Sequence, residues 1–461
     1  MMKNKLLNQR QIVKHKIKFG TDGIRGNAEK FPFTKPALNY LGMAIAKWAT
    51  EKYKKKPTVL IGYDTRISSS RIEEDLTEGL MNFPITVINS EVLPTPAICL
   101  LTKTEDFVDF GIVISASHNP YFDNGIKIID SKNIKLNKDD EKIITDYFHE
   151  MQKEKTAISL DKNSNNIFMK DASKEYENKI LSFFKNNFLN NIKIVIDCAN
   201  GATYEIAPKL FKKLGAKVTT IAASPNGKNI NENCGTLHLE NLAQEVIQNK
   251  ADIGFAFDGD GDRVLAVNKN GKIIDGDDIL DLLSNHPEIT NSNTIVGTIM
   301  SNFGFELHLE KNNKKLIRTS VGDKYVAAKL EEENMPLGGE NSGHIIIKDY
   351  MNTGDGIFTA LKILESIISN NNWKMKTFEK TPQILLNVPV YIKNDLSQEP
   401  YSKIINEHKN LLINGRIVVR YSGTENLLRV MVEDEKLDNA TMLANSLAQK
   451  LQNTLKNQSI I

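Results

Sequence analysis

Three segments of this 461-residue chain repeat one order of residue types, and that repetition limits the fold more than any other feature. They run from Thr58 to Ile88, from Ile192 to Ile221 and from Asn293 to Val321. Each opens with a short β-branched run, turns through small polar residues, continues with helical spacing and closes on another short strand. In the second segment Ala207, Leu210, Phe211 and Leu214 fall at helical intervals, and Gly215 follows as a stop signal. Strand–helix–strand units of about 30 residues favour right-handed crossovers and a largely parallel sheet. Three such units predict three related α/β domains.

The C-terminal part has another grammar. Arg416–Arg420 and Leu427–Glu433 read as two strands around a Ser-Gly-Thr turn. A helix follows, with Leu437, Met442, Leu443, Leu447, Leu451 and Leu455 expected on its apolar face. This suits an α+β module, with helices on one side of an antiparallel sheet. Linkers are expected at 161–166 and 370–381, with a weaker boundary at 268–271.

Length and charge narrow the class. At about 150 residues per domain the chain has room for roughly three domains, with cores that need no staples. Lys plus Arg number 59 against 57 Asp plus Glu, a net charge of +2, which gives no surplus of one sign for coating a polyanion. Cys99, Cys198 and Cys234 form neither a CxxC pair nor a zinc spacing, so a reducing cytoplasm is expected. No run approaches the ~20 apolar residues of a membrane span. The basic N-terminus has only Leu6-Leu7 where a secretory signal carries a continuous apolar run, and reads as a frayed leader.

The most specific chemical signal follows an alternating strand, Ile253, Phe255 and Phe257: Asp258-Gly-Asp260-Gly-Asp262-Arg263. Three carboxylates at alternate positions repel unless an opposing charge joins them. An all-oxygen set suits a hard cation, Mg2+ or Ca2+, rather than zinc. An EF-hand loop fails, because its twelfth position is Lys269 and a strand precedes it; a solvated acidic turn is the plainer alternative.

A second signal is the apolar run Ile112–Ile114 ending in Ser115-Ala-Ser117-His118-Asn119-Pro120. That step exposes a hydroxyl at the C-terminal edge of a strand, where open α/β sheets place ligands. Ser117 and His118 are neighbours, so they are not expected to form a hydrolase pair on their own, and no GxSxG elbow occurs; a capping serine is the plainer reading. Arg420, Ser422, Gly423, Thr424 and Arg429 offer guanidinia, hydroxyls and turn amides for an anion. Glu340, Ser342 and His344 lie in a glycine-rich segment suited to sugar hydroxyls, and Arg25 adds a cation within another. No GxxxxGK[ST] loop occurs, which disfavours a nucleotide-driven kinase of that type.

Taken in order, FGTDGIRG, SASHNP with DNGIK, DGDGDR, GGENSGH and RYSGTEN resemble the α-D-phosphohexomutases, over essentially the whole chain from Phe19. DCANGAT, VGTIMSNFG, VGDKYV, TGDGI and RVMVE are similar to the glucosamine branch of that family. The resemblance implies four domains around a central cleft: 1–166 with a phosphoserine loop, 167–268 with a metal loop, 269–378 with a sugar loop, and an α+β domain 379–461 with a phosphate loop. It implies an isomerase-class phosphotransferase that moves phosphate between C6 and C1 of glucosamine phosphate through a bisphosphate.

The implied roles follow by motif. Ser117 would be phosphorylated, and Asp258, Asp260 and Asp262 would hold one Mg2+ together with an oxygen of that phosphate. Arg25, Arg263 and Lys127 would offset charge, with Lys127 and His118 as candidates for general acid or base. Glu340, Ser342 and His344 would bind sugar, as would Asp323 and Lys324. Arg420, Ser422, Gly423, Thr424 and Arg429 would bind the non-reacting phosphate, and a sugar bisphosphate would act as activator. The expected partner is a small sugar phosphate, with no nucleic acid and no membrane, in a chain that could pair as a homodimer. Phosphomannomutase or phosphoglucomutase activity differs only in the sugar, and a non-catalytic sugar-phosphate binder is the remaining alternative.

Two departures stand out. In the phosphate turn Tyr421 and Asn426 stand where the family usually has a basic residue and then a proline; losing the proline predicts a looser clamp, and Tyr421 supplies no phosphate cation. Lys324 stands where arginine is commoner, keeping charge and losing bidentate geometry.

Overall fold

The computed structural model describes residues 16–20, 22–131, 136–289, 293–422 and 426–457. The basic leader, Gly423 and Thr424 lie outside them. The chain divides into two compact units, Met1–Ile274 with Ser342–Glu365 and Asp275–Asn341 with Ser366–Ile461.

The first unit holds two sheets. The six-stranded sheet runs Ile24–Asn27, Asp123–Asp130, Phe110–Ile114, Thr58–Tyr63, Thr86–Val92, Asn165–Phe168. Thr58–Tyr63 pairs parallel with both Thr86–Val92 and Phe110–Ile114, as the repeat predicts. The sheet is nonetheless mixed, because Asp123–Asp130 is antiparallel to both its neighbours. The apolar run of Lys35–Tyr53 meets the sheet through Trp48, which is buried edge-on against Phe110. Asn165–Phe168 pairs with Thr86–Val92, so the expected linker at 161–166 runs into an edge strand. All four of its residues are exposed, which is why no burial pattern betrayed it.

The five-stranded sheet has the order Ile273–Ile274, Val264–Asn268, Ile253–Phe257, Lys193–Asp197, Lys217–Ile221. Its repeat strands pair parallel. The hairpin Ile253–Phe257 to Val264–Asn268 is antiparallel, and the expected boundary at 268–271 is the turn into Ile273–Ile274. Ile253–Phe257 is a buried strand, covered on both faces. Gly254 and Ala256 supply the second face, where helix residues Val246 and Leu242 come close.

In the second unit, Lys315–Thr319, Thr294–Thr298 and Leu337–Gly339 form a parallel set. Leu427–Asp434 lies between Gln383–Pro389 and Gly415–Tyr421, antiparallel to both. The helix Leu437–Asn457 packs on this sheet through Ala440, Leu443, Ala444, Leu447, Leu451 and Leu455. Leu437 and Met442, expected on that face, are more than half exposed. The spacing selects the small alanines, which let the helix lie close. The coil 370–381 is pinned, with Lys380 paired to Asp275 and Asp278.

Candidate active site

The first unit brings two strand ends together. Beyond Phe257, the buried residues Asp258, Asp260 and Asp262 can place one oxygen each within 4.8 Å of the others. Gly261 takes the turn at φ +75. Gly259 serves differently: a Cβ there would stand 2.6 Å from the Ser117 carbonyl oxygen, so glycine permits the approach of the two loops.

Each carboxylate has its own partners. Asp258 Oδ2 accepts from Ser117 Oγ at 2.7 Å, and its Oδ1 accepts from the Arg263 N–H at 3.1 Å. Asp260 Oδ2 accepts from Thr95 Oγ1 at 2.7 Å and Lys127 Nζ at 2.9 Å. Burial, then Asp262 and Asp260, hold the Asp258 carboxyl well above the ordinary range. Burial opposes ionisation of Asp262 too, but His344, Lys127 and Arg263 outweigh it and hold that carboxyl low. Asp260 Oδ1 and Asp262 Oδ1 are buried and accept no hydrogen bond. Crowded, dry carboxylates with unused oxygens are what a hard divalent cation requires. The donor set therefore fits Mg2+.

Ser117 follows Phe110–Ile114 at φ +53, with its N–H donating to Ser115 Oγ at 2.8 Å. Although the two are sequence neighbours, His118 Nδ1 lies 3.3 Å from Ser117 Oγ. Burial and the cations Arg263 and Arg25 push the His118 imidazole down to about 4, leaving it neutral near pH 7. Arg25 donates to the Ala116 carbonyl at 3.0 Å and pairs with Asp22. Lys127, on the adjoining strand, is buried and lies 2.9 Å from Asp260, 3.4 Å from Asp22 and 3.8 Å from Asp262. Burial works against its charge, but these three carboxylates prevail and hold the ammonium above its usual range.

His344 also belongs here. Its Nε2 accepts from the Gly354 N–H at 3.0 Å and its Nδ1 faces Asp262 Oδ2 at 3.6 Å. Both ring nitrogens are thus directed at protein groups, which orients the ring toward the carboxylates rather than toward open space. Ser342 lies in the same unit, whereas Glu340 is in the other.

The second unit gathers the remaining candidates. Glu340 accepts from the Gly322 N–H at 2.9 Å, which ties it to the start of the helix carrying Asp323 and Lys324. Asp323 Oδ1 takes the Lys324 N–H at 2.8 Å, and Lys324 Nζ lies 5.2 Å from the centre of the Tyr325 ring. Arg420 and Arg429 stand directly opposite on antiparallel strands, hence on one face. Burial, then Arg429, pulls the Arg420 guanidinium below its usual value, against Glu340. Two facing guanidinia are unfavourable without an anion. Period two puts Tyr421 on the other face, packed with the sheet's core. The Tyr421 hydroxyl accepts from the Asn394 N–H at 3.0 Å, Lys393 Nζ donates to the Ser422 carbonyl at 2.8 Å, and the Ser422 N–H donates to Leu427 O at 2.8 Å. This strap, which the sequence did not reveal, ties Tyr421 and Ser422 to the 393–394 segment.

Four family models match in order: phosphoglucomutase/phosphomannomutase alpha/beta/alpha domain I over residues 16–155, domain II over 174–271, domain III over 275–383 and the C-terminal domain over 379–450. The chain belongs to this family, the α-D-phosphohexomutases, enzymes of the isomerase class with a four-domain α/β architecture. Its relatives narrow the branch. It is 41% identical to the phosphoglucosamine mutase of Nitrosococcus oceani over 96% of this chain and 98% of that one, and 43% identical to that of Acinetobacter baylyi over 94% and 98%. A solved structure of Aspergillus fumigatus N-acetylphosphoglucosamine mutase, in complex with GlcNAc-6P and magnesium, matches with a TM-score of 0.68 over 96% of each chain. At 17% identity that likeness shows the fold alone.

Proposed function

We propose that this chain interconverts glucosamine 6-phosphate and glucosamine 1-phosphate, with Ser117 as phosphoryl carrier. The observation that carries the reading is Ser117 Oγ, 2.7 Å from one of three buried, converging aspartates. Phosphoserine gives its phosphoryl group to the free hydroxyl of the sugar phosphate, forming a bisphosphate. The bisphosphate turns over, and the serine oxygen takes the other phosphoryl group back. A free sugar bisphosphate primes the serine. Asp258, Asp260, Asp262 and a phosphoserine oxygen would hold one Mg2+, which when bound supplies positive charge to the transferring group.

Charge is the main chemical problem. Three aspartates, a phosphoserine of nearly −2 and one divalent cation leave the site at about −3. Arg25, Lys127 and Arg263 supply the offset. Lys127, held as an ammonium, can donate a proton to the departing serine or sugar oxygen; neutral His118 can receive the proton of the attacking hydroxyl beside Ser117. His344 supports Asp262, while Glu340 and Ser342, with Asp323 and Lys324, bind the sugar. Arg420, Arg429 and the 422–424 turn grip the non-reacting phosphate. A four-domain division, a cytoplasmic home and a homodimer belong to the same proposal, with the first boundary moved from 166 to beyond the edge strand Asn165–Phe168, the second from 268 to beyond Ile274, and the third near 378. Among the described residues, no helix is long and apolar enough to cross a membrane.

A hydrogen-bonding site rejects an analogue lacking its partner better than an apolar pocket rejects one methylene. The 2-amino group should therefore find acceptors, and Asp323 and Glu340 are of that kind. In an assay panel, kcat/KM for glucosamine 6-phosphate is expected to exceed that for the glucose and mannose esters by at least about tenfold. Equal or reversed preference moves the chain to the phosphoglucomutase or phosphomannomutase reading. The strap makes a separate prediction. Lys393→Met should raise KM for the sugar phosphate about fivefold with kcat nearly unchanged, the effect of one charge-assisted hydrogen bond. An unchanged KM would remove Lys393 from the clamp.

A further inference from the structure

Ser117 sits in the left-handed backbone region, where a residue other than glycine stays only if its surroundings over-determine it. Those surroundings converge on one buried side chain, Arg66, in the Asp64-Thr65-Arg66 turn after strand Thr58–Tyr63. Its five guanidinium N–H groups are all used. Nε donates to Asp64 Oδ2 at 2.8 Å, one terminal nitrogen to the carbonyls of Ser117 at 2.9 Å and Asn119 at 2.8 Å, and the other to the carbonyls of Asp123 at 3.2 Å and Pro120. One carboxylate neutralises the cation, and four carbonyls of residues 117–123 absorb its remaining donors.

Asp64 extends the hold. Its Oδ2 also accepts from Ser115 Oγ at 2.6 Å, and Ser115 Oγ accepts the Ser117 N–H at 2.8 Å. Asn231 Nδ2, from the other sheet's domain, donates to the Ser117 carbonyl at 2.9 Å and to that of Asn119 at 3.2 Å. The peptide groups on both sides of Ser117 are thus fixed, leaving Oγ pointed at Asp258.

We infer that Arg66 is a positioning residue for phosphoryl transfer: through Asp64 and four backbone carbonyls it sets the loop that aims Ser117 Oγ at the aspartates. This rests on Ser117 being the carrier. Lysine keeps the charge, but its three donors leave one point and cannot span the fork of acceptors.

The test compares Arg66→Lys, Asn231→Gly and Ser117→Ala, each as full-length protein with Mg2+. The readouts are kcat and KM, the rate at which glucose 1,6-bisphosphate phosphorylates Ser117 by intact mass, and Tm. A displacement of about 1 Å at a reacting atom lowers rates about 100-fold. Arg66→Lys should therefore lose about 100-fold in kcat and in the phosphorylation rate, with KM within about threefold. Asn231→Gly, which removes a donor while allowing φ +58, should lose about fivefold in the same two rates. A merely structural role would lower Tm and leave both rates of the folded fraction unchanged, and that result would overturn the inference. Should Arg66→Lys fail to fold, Asn231→Gly decides, since wild-type rates there also overturn it. Turnover in Ser117→Ala would instead defeat the carrier reading, whereas an inactive Ser117→Ala beside a fully active Arg66→Lys would defeat only the role of Arg66.

Discussion

Ser117→Ala is expected to lower turnover by about four orders of magnitude or more, with Tm changed by only a few degrees. The proposed reaction has no route around the serine oxygen, which both gives and receives the phosphoryl group, so its removal takes away the covalent step itself. The fold should survive because the contacts that shape the loop use the backbone of residue 117: its N–H on Ser115 and its carbonyl on Arg66 and Asn231. Alanine tolerates φ +53 about as poorly as serine, so no new strain enters. Ser115 is the nearest other hydroxyl in sequence, but it is buried and committed to Asp64 at 2.6 Å, so it should not substitute. Intact mass should show one added phosphate on the wild type after incubation with glucose 1,6-bisphosphate and none on the variant. Turnover within tenfold of wild type would end the assignment of Ser117.

What the sequence disclosed and what it hid divide along physical lines. The repeated strands and helices were legible because apolar periodicity is local, and the aspartates were legible because three of them lie within five residues. Arg66, Thr95, Asn231 and Asp22 were not, since each acts on a group far along the chain. Thr95 meets Asp260, 165 positions away, and Asn231 meets Ser117 across 114. The charged turn directly after the first repeat strand, Asp64-Thr65-Arg66, is the available hint, because ligand-bearing loops gather at that edge of a sheet. Tyr421 is a different case: counting by two from Arg420 would already have placed it on the core face. The loop around His344 suggests a sugar ligand, and only the fold shows the ring turned toward Asp262. The alanines of the last helix are hard to see in sequence because leucine and methionine dominate a hydrophobic count, although Ala440 and Ala444 are fully buried in the packed face.

Removing metal, or weakening its site, should produce the other large effect. Enzyme stripped with EDTA is expected to lose essentially all turnover and to regain it with Mg2+. Asp260→Asn should lower kcat/KM about 100-fold or more at fixed Mg2+ and weaken Mg2+ binding at least tenfold. The substituted amide keeps one oxygen to accept from Thr95 and Lys127, the pair now at 2.7 and 2.9 Å, so the loop has reason to hold its shape. Charge is what disappears, together with the Asp260 oxygen that accepts no hydrogen bond. Binding and stability are linked: a ligand stabilises the folded state by RT ln(1 + [L]/Kd), so tenfold weaker binding removes about 1.4 kcal/mol of the Mg2+-dependent stabilisation at high metal concentration. The increase in Tm on adding Mg2+ should therefore be smaller in Asp260→Asn than in wild type, while the metal-free variant still unfolds cooperatively. Lost activity alone does not separate a damaged fold from a damaged metal site, but a reduced metal-dependent Tm gain in a cooperatively folded protein does. Full turnover after EDTA treatment, or an undiminished Tm gain in the variant, would show that the three aspartates do not form the working metal site.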